Sequence, residues 1–290
     1  MIKLIVCDMD GTLLTSEDKI SPKTLEYLVN IQEQGVKLVL ASGRSYSRLE
    51  QYYKELRMIE NDGILIEVNG LYVNYLKENK RFKAESIKRQ DIERIYSEAK
   101  EFDPEIVAYL DKGIRYYIPE SMIEIKQQFI KEKGLGPDFP LVGAPFAWCA
   151  DTRGGYPDQK RMYSVDEFPL EVNKFTLINY PEKTQKMIDK FKDNIFNEYE
   201  MSRSAPRALE ITAKNVTKGV ALRKLMKQLG INRDEVLVFG DGENDYPLFD
   251  EVKYSIAMAN APTYVKERAF AITSSNNEDG IYEACKKYIG

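Results

Sequence analysis

Leu4-Ile5-Val6-Cys7-Asp8-Met9-Asp10-Gly11-Thr12 begins apolar and ends in charge. The β-branched run reads as a buried strand that delivers two carboxylates, Asp8 and Asp10, to its C-terminal end, with a glycine behind them. Carboxylates one residue apart repel each other and resist burial. The arrangement makes sense when a cation lies between them or when one of them does chemistry. The plainer reading is a strand followed by an Asp-Gly turn, and the rest of the chain counts against it.

Outward from this strand, Ser21-Pro22 reads as a helix start, with Ser as N-cap and Pro at the first helical position. Leu25, Leu28 and Val29 recur at helical spacing, and Gly35 closes the helix. Residues 36–41 read as a second buried strand ending in Ser42-Gly43-Arg44, followed by a helix to about Leu56 and a third strand at 64–68. Strands alternating with helices predict a doubly wound parallel sheet.

The middle of the chain changes character. Aromatic, alternating segments at 106–110, 114–118 and 175–180 lie among helical patterns at 92–102, 122–130 and 184–191. That mixture predicts a separate α+β unit, an antiparallel sheet with helices on one face. Residues 134–169, rich in Gly, Pro and Asp, read as loop. Alternation then returns: an amphipathic helix at 217–229, a strand at 236–239 ending in Gly240-Asp241-Gly242-Glu243-Asn244-Asp245, short strands near 255–257 and 271–273, and a last helix to Tyr288. The simplest architecture is one α/β core from residues 1–83 and 212–290, with 84–211 inserted as a cap.

Composition narrows the function. The chain has 290 residues, 43% hydrophobic and 30% charged, which suits an ordinary globular protein. A net charge of -4 gives no basic footprint for nucleic acid, and no apolar run reaches the length of a membrane span. The first strand reaches Asp8 too soon for a signal peptide. Cys7, Cys149 and Cys285 form no spaced framework, which fits a reducing cytoplasm. Histidine is absent, which excludes a His base and His-ligated zinc. Acid–base work near neutral pH then falls to carboxylates, and a metal site built from them is all-oxygen and favours magnesium.

In open α/β sheets ligands bind at the carboxyl ends of strands. Three polar clusters fall at such ends: Asp8/Asp10, Ser42-Gly43-Arg44 and Asp241/Asp245. Alone, a Ser-Gly-Arg is a turn more often than a site, and an Asp-Gly-Glu-Asn-Asp is often a solvated loop. Their coincidence is the signal.

With these motifs in place the chain strongly resembles the haloacid dehalogenase (HAD) superfamily. Its first motif stands as Asp8-Met9-Asp10-Gly11-Thr12, its second as Ser42, its third as Lys218 in Thr217-Lys218-Gly219, and its fourth as Gly240-Asp241-Gly242-Glu243-Asn244-Asp245. The large insert is similar to the class IIB cap of Cof-like sugar-phosphate phosphatases, as are Asn69-Gly70, Ser204-Ala205-Pro206 and Asp279-Gly280. The resemblance implies a Rossmann-like core and a two-step phosphoryl transfer. In it Asp8 is the nucleophile and Asp10 the acid and then the base. It also implies a Mg2+ site at Asp8, Asp10 (through its backbone carbonyl), Asp241 and Asp245. Ser42, Gly43, Asn244 and Lys218 would hold phosphoryl oxygens. A lone Thr-Lys-Gly would otherwise be a surface lysine.

Arg44 and Arg48 read either as substrate contacts or as ion-pair residues near the second motif. A site made of these motifs accepts any phosphate, so substrate choice falls to the cap, with Arg153, Tyr156, Lys160 and Arg161 as candidates. The implied partner is a small phosphorylated metabolite, without nucleic acid or membrane, for a monomer or weak homodimer in the cytoplasm. Rival readings are a phosphomutase with the same nucleophile, a catalytically dead sugar-phosphate sensor, and a receiver-type signalling domain, which is much shorter.

Overall fold

A computed structural model describes residues 1–136, Phe139, 141–143 and 158–290. Arg153 and Tyr156 therefore lie outside the described residues. The chain forms two compact units, Met1–Ala84 with Val216–Gly290, and Glu85–Asn215. No helix among the described residues is long and apolar enough to cross a membrane.

The first unit holds an eight-stranded sheet. Its strands are β1 (Leu4–Cys7), β2 (Lys37–Ala41), β3 (Ile64–Glu67), β4 (Tyr72–Tyr75), β5 (Lys80–Lys83), β14 (Val236–Gly240), β15 (Tyr254–Ala257) and β16 (Ala271–Ile272). Their order is β16-β15-β14-β1-β2-β3-β4-β5. All pairs from β16 to β3 are parallel. The parallel sheet is as expected, and β4 and β5 extend it with an antiparallel hairpin at one edge. Its outer strand, Lys80-Arg81-Phe82-Lys83, is wholly exposed and mostly basic, which discourages another chain from pairing there.

Alternation within each strand sorts its side chains into two apolar layers. Ile5, Cys7, Leu38, Leu40, Leu237 and Phe239 share one core with helices α1 (Pro22–Glu33), α2 (Tyr46–Glu55) and α9 (Gly280–Tyr288). Leu4, Val6, Val39, Ala41, Val236 and Val238 share the other with α6 (Lys218–Leu229), α7 (Tyr246–Glu251) and α8 (Thr263–Lys266). The Ser21 cap signal holds, with Ser21 accepting from the Thr24 N–H at 3.3 Å, and Thr217 caps α6 in the same way, accepting from the Val220 N–H at 3.1 Å. Register places the site. Cys7 stands level with Phe239 on one side and Leu40 on the other, so Asp8 follows β1 beside Gly240 and Ala41, the last residues of β14 and β2.

The turn after β3 is unusual. Val68, Asn69 and Gly70 all have positive φ, at 50°, 55° and 100°. A β-branched residue there is strained. The turn is held by bonds from the Val68 and Asn69 N–H groups to the Arg44 and Ser42 carbonyls, at 3.1 and 3.0 Å. A Cβ at Gly70 would lie 2.2 Å from the Thr217 carbonyl oxygen. Gly70→Ala should therefore destabilise the protein by more than about 1 kcal/mol, since both φ and space are wrong for it. Urea unfolding checks this, and an unchanged midpoint would refute it.

The second unit contains β6 (Ile87–Lys88) paired with β10 (Glu171–Val172), and a six-stranded sheet ordered β12-β13-β11-β7-β8-β9. These six are β7 (Glu105–Tyr109), β8 (Gly113–Tyr117), β9 (Asp158–Met162), β11 (Lys174–Ile178), β12 (Tyr199–Ala205) and β13 (Ala208–Ala213). Helices α3 (Arg89–Ala99), α4 (Glu120–Glu132) and α5 (Pro181–Asn194) complete it. The sheet is antiparallel as expected except at β9, which runs parallel to β8 inside the stretch expected to be loop. Asp158-Gln159-Lys160-Arg161-Met162 has no apolar period to betray a strand. One feature resists the hydrophobic rule. Lys126 of α4 and Glu105 of β7 form a buried ion pair at 2.7 Å, and burial, against the pull of Lys126, pushes Glu105 up to about 7.

Candidate active site

Asp8 is one residue beyond β1, with its N–H on the Phe239 carbonyl at 3.1 Å and only 6% of the residue exposed. Its Oδ1 accepts from Lys218 Nζ at 2.5 Å, and the same ammonium donates to Asp245 Oδ1 at 2.7 Å. Lys218 is the first residue of α6 and is fully buried, so the surface-lysine reading does not hold. Asp245 Oδ2 accepts from the backbone N–H groups of Asp241 and Gly242 at 3.0 and 3.1 Å. That carboxylate shapes the loop after β14 and aims Asp241. Thr12 donates to Asp241 Oδ1 at 2.7 Å. Gly11 has φ +77°, and a Cβ on it would lie 2.4 Å from Asp241 Oδ2, so the loop after Asp10 can pass only as glycine.

Asp8, Asp241 and Asp245 each offer a carboxylate oxygen within 4.8 Å of the others. Burial raises Asp8 well above the usual carboxylate range; Lys218 opposes this, while Asp245 and Asp241 add to it. Burial likewise raises Asp241 to about 6, opposed by the Thr12 hydrogen bond and reinforced by Asp245. Burial alone would lower Lys218, but Asp245 and Asp8 outweigh it and its proton is held more tightly than usual. When all three carboxylates are ionised they outnumber the one ammonium by two charges. An all-oxygen donor set short of two positive charges suits a hard divalent cation of the magnesium class.

Asp10 has a different environment. Its side chain is 62% exposed against 8% for Asp8, and both its oxygens accept from the Arg44 guanidinium, Oδ2 from Nε at 2.9 Å and Oδ1 from a terminal nitrogen. Burial raises its pKa, but the Arg44 hydrogen bonds and charge outweigh that and hold it below the usual range. Of the four residues expected around a metal, the structure gathers the side chains of Asp8, Asp241 and Asp245 and sets that of Asp10 aside on Arg44. Arg44, read from sequence as either a substrate contact or an ion-pair residue, forms an ion pair with Asp10.

Ser42 is buried and its Oγ accepts from the Arg44 N–H at 3.1 Å, a tight turn that leaves Gly43 half-buried at the end of β2. Asn244 is half-buried in the short 3-10 turn Glu243–Asp245. Arg161 lies on β9 of the second unit, with its guanidinium 5.0 Å from the Tyr163 ring, and Lys160 precedes it on the same strand. Sequence reasoning gave no role to Thr12 or Gly70. Thr12 was visible as the last residue of the first motif, but its partner is 229 positions away.

The chain is similar to known proteins along nearly its whole length. The sequence profile described as haloacid dehalogenase-like hydrolase matches residues 5–285. YxeH of Bacillus subtilis strain 168 is 29% identical over 291 residues, covering 100% of this chain and 99% of that protein. The same organism's YcsE, a 5-amino-6-(5-phospho-D-ribitylamino)uracil phosphatase, is 24% identical over 99% of this chain and 96% of its own. A haloacid dehalogenase-like hydrolase from Bacteroides thetaiotaomicron has a solved structure similar at a TM-score of 0.73. It is 26% identical, with 99% of each chain covered.

Proposed function

This chain belongs to the haloacid dehalogenase-like hydrolases, phosphoric monoester hydrolases among them, and on that premise we propose that it is a magnesium-dependent phosphatase of small phosphorylated metabolites. The observation that carries the reading is Asp8, buried at a strand end, paired with Lys218 and crowded by Asp241 and Asp245.

Asp8 Oδ attacks phosphorus, forming an O–P bond as the ester O–P bond breaks. The departing oxygen takes its proton from Asp10. Water then attacks the aspartyl-phosphate, giving its proton to Asp10, and inorganic phosphate leaves with Asp8 restored. Lys218, Ser42, Asn244 and the Gly43 N–H stabilise charge on the phosphoryl oxygens. Asp8, Asp241 and the backbone carbonyl of Asp10 would hold magnesium, with Asp245 at its rim; the ion supplies charge neutralisation between nucleophile and anionic substrate.

The substrate class is a phosphorylated sugar or polyol, in line with the ribityl phosphate named for YcsE. The inserted unit, including Arg161, Arg153 and Tyr156, is the source of selectivity. The protein works in a reducing compartment, the cytoplasm, as a monomer or weak homodimer.

A screen of phosphorylated metabolites for phosphate release tests this. Activity should vanish with chelator and return with magnesium. Turnover in metal-free buffer, or release that requires a bisphosphate activator as in a mutase, would overturn it.

A further inference from the structure

We propose that Asn260 is a positioning residue for the metal site: by pinning the Gly11 carbonyl it fixes Thr12, and through Thr12 it aims Asp241. The inference rests on the magnesium-dependent reading above and extends it to a residue that lies outside all four motifs.

The contacts run in sequence within the first unit. Asn260 lies between β15 and α8. Its Nδ2 donates to the Gly11 carbonyl at 2.8 Å, across 249 positions of the chain. The next residue, Thr12, donates from Oγ1 to Asp241 Oδ1 at 2.7 Å. Asp241 brings a carboxylate oxygen to the cluster with Asp8 and Asp245.

The loop after Asp10 needs a hold from outside. The Thr12 and Leu13 N–H groups turn inward, to the Met9 and Asp8 carbonyls, at 3.3 and 3.2 Å. Bonds of that length hold the turn weakly. Gly11, at φ +77° and without a Cβ, adds backbone freedom of its own. A bond to its carbonyl fixes the plane of the Gly11–Thr12 peptide, and with it the base of the Thr12 side chain.

Asn260 can supply that hold because its own amide is fixed. Its Oδ1 accepts from the Asn276 N–H at 3.1 Å. Turned over, the amide would set oxygen against the Gly11 carbonyl and NH2 against an N–H. Asn276 is tied to the same loop, donating from Nδ2 to the Leu14 carbonyl at 2.8 Å. An ionised aspartate at 260 would have no donor for the carbonyl, and an alanine would not reach it. Groups that orient a metal ligand set the affinity of the site, commonly by about 10–100-fold.

The test uses magnesium alone as the probe. The rise in melting temperature of the chelator-treated protein across a magnesium titration gives an apparent Kd. Asn260→Ala should weaken that Kd by about 10-fold or more. Its melting temperature in chelator should stay within about 4 °C of the wild type, since the side chain is exposed. Asn260→Ser, also too short to reach Gly11, serves if the alanine variant fails to fold. Thr12→Val should weaken the Kd similarly. In that background Asn260→Ala should cost no more than about two-fold further, because the two act through one contact and are non-additive. Asn277→Ala removes a bond from the Ser16 N–H at 2.9 Å, farther along the same loop. It should leave the Kd within about two-fold of the wild type.

An unchanged Kd in Asn260→Ala, with or without a lower melting temperature in chelator, would mark a merely structural residue and overturn the proposal. Additive losses with Thr12→Val, or an equal loss in Asn277→Ala, would overturn it as well. A wild-type protein whose melting temperature does not respond to magnesium would overturn the magnesium reading itself, and this role with it.

Discussion

Asp8→Asn is expected to remove turnover, by on the order of 10⁵-fold or more, and to leave the core folded. An amide cannot take the phosphoryl group, and the other carboxylates of the cluster are committed elsewhere: Asp245 to Lys218 and two backbone N–H groups, Asp241 to Thr12. The fold should survive because Asn keeps the shape of Asp and removes a charge from a cluster already crowded with them. Lys218 retains Asp245. Steady-state rates on an aryl phosphate and a melting curve within about 4 °C of the wild type check both halves. Acid-quenched wild-type enzyme should carry label on Asp8. Label on a serine, or a variant with near-normal rate, would refute the assignment.

Lys218→Met is expected to remove activity and cost about 3–5 kcal/mol of stability, the range for breaking a buried ion pair from one side. It leaves three close carboxylates with no ammonium among them. Magnesium should restore part of the lost stability, because only the folded state gathers the ligands.

Acid should help as well, and the sign follows from the direction of the shifts. In the metal-free wild type Asp241 is raised from 3.8 to about 6, and Asp8 is raised too. The folded state therefore binds protons more readily than the unfolded chain, and stability falls as pH climbs from about 4 through about 6. Without Lys218 that fall should steepen. Melting temperatures from pH 4 to 8, with chelator and with magnesium, decide it; a Lys218→Met variant as stable as the wild type in chelator would contradict the buried-pair account.

The core was legible because its signals are local. Ser21-Pro22, Gly35 and the apolar runs ending in Asp8, Ser42 and Asp241 each name an element and its end within a few residues. The hairpin β4–β5 was not legible. Tyr72–Tyr75 and Lys80–Lys83 are short, and the second shows no buried side chain to mark a strand. β9 escaped because Asp158–Met162 shows no apolar alternation.

At the site, spacing alone put Asp8 and Asp10 together, and the structure separates them. Asp8 faces Lys218, 210 residues away, and Asp10 faces Arg44, 34 residues away. Neither pairing leaves a trace in local spacing, because each depends on which strands become neighbours.

The pairing of β1 with both β2 and β14 also sets an order of assembly. β2 follows β1 within 40 residues, so that side of β1 can be covered early. The other side waits for Val236–Gly240, at the far end of the insertion. As a chain emerges from the ribosome, the unit Glu85–Asn215 is complete while Leu4–Cys7 still shows an unpaired, wholly apolar edge. Such an edge is open to the wrong partner, and closing so long a loop is slow. Asp8, at the end of that edge, meets Lys218, Asp241 and Asp245 only when the last quarter of the chain arrives, whereas Asp10 can meet Arg44 early. The candidate site thus draws on both ends of the chain, and a product that stops before Val236 lacks Asp241 and Asp245.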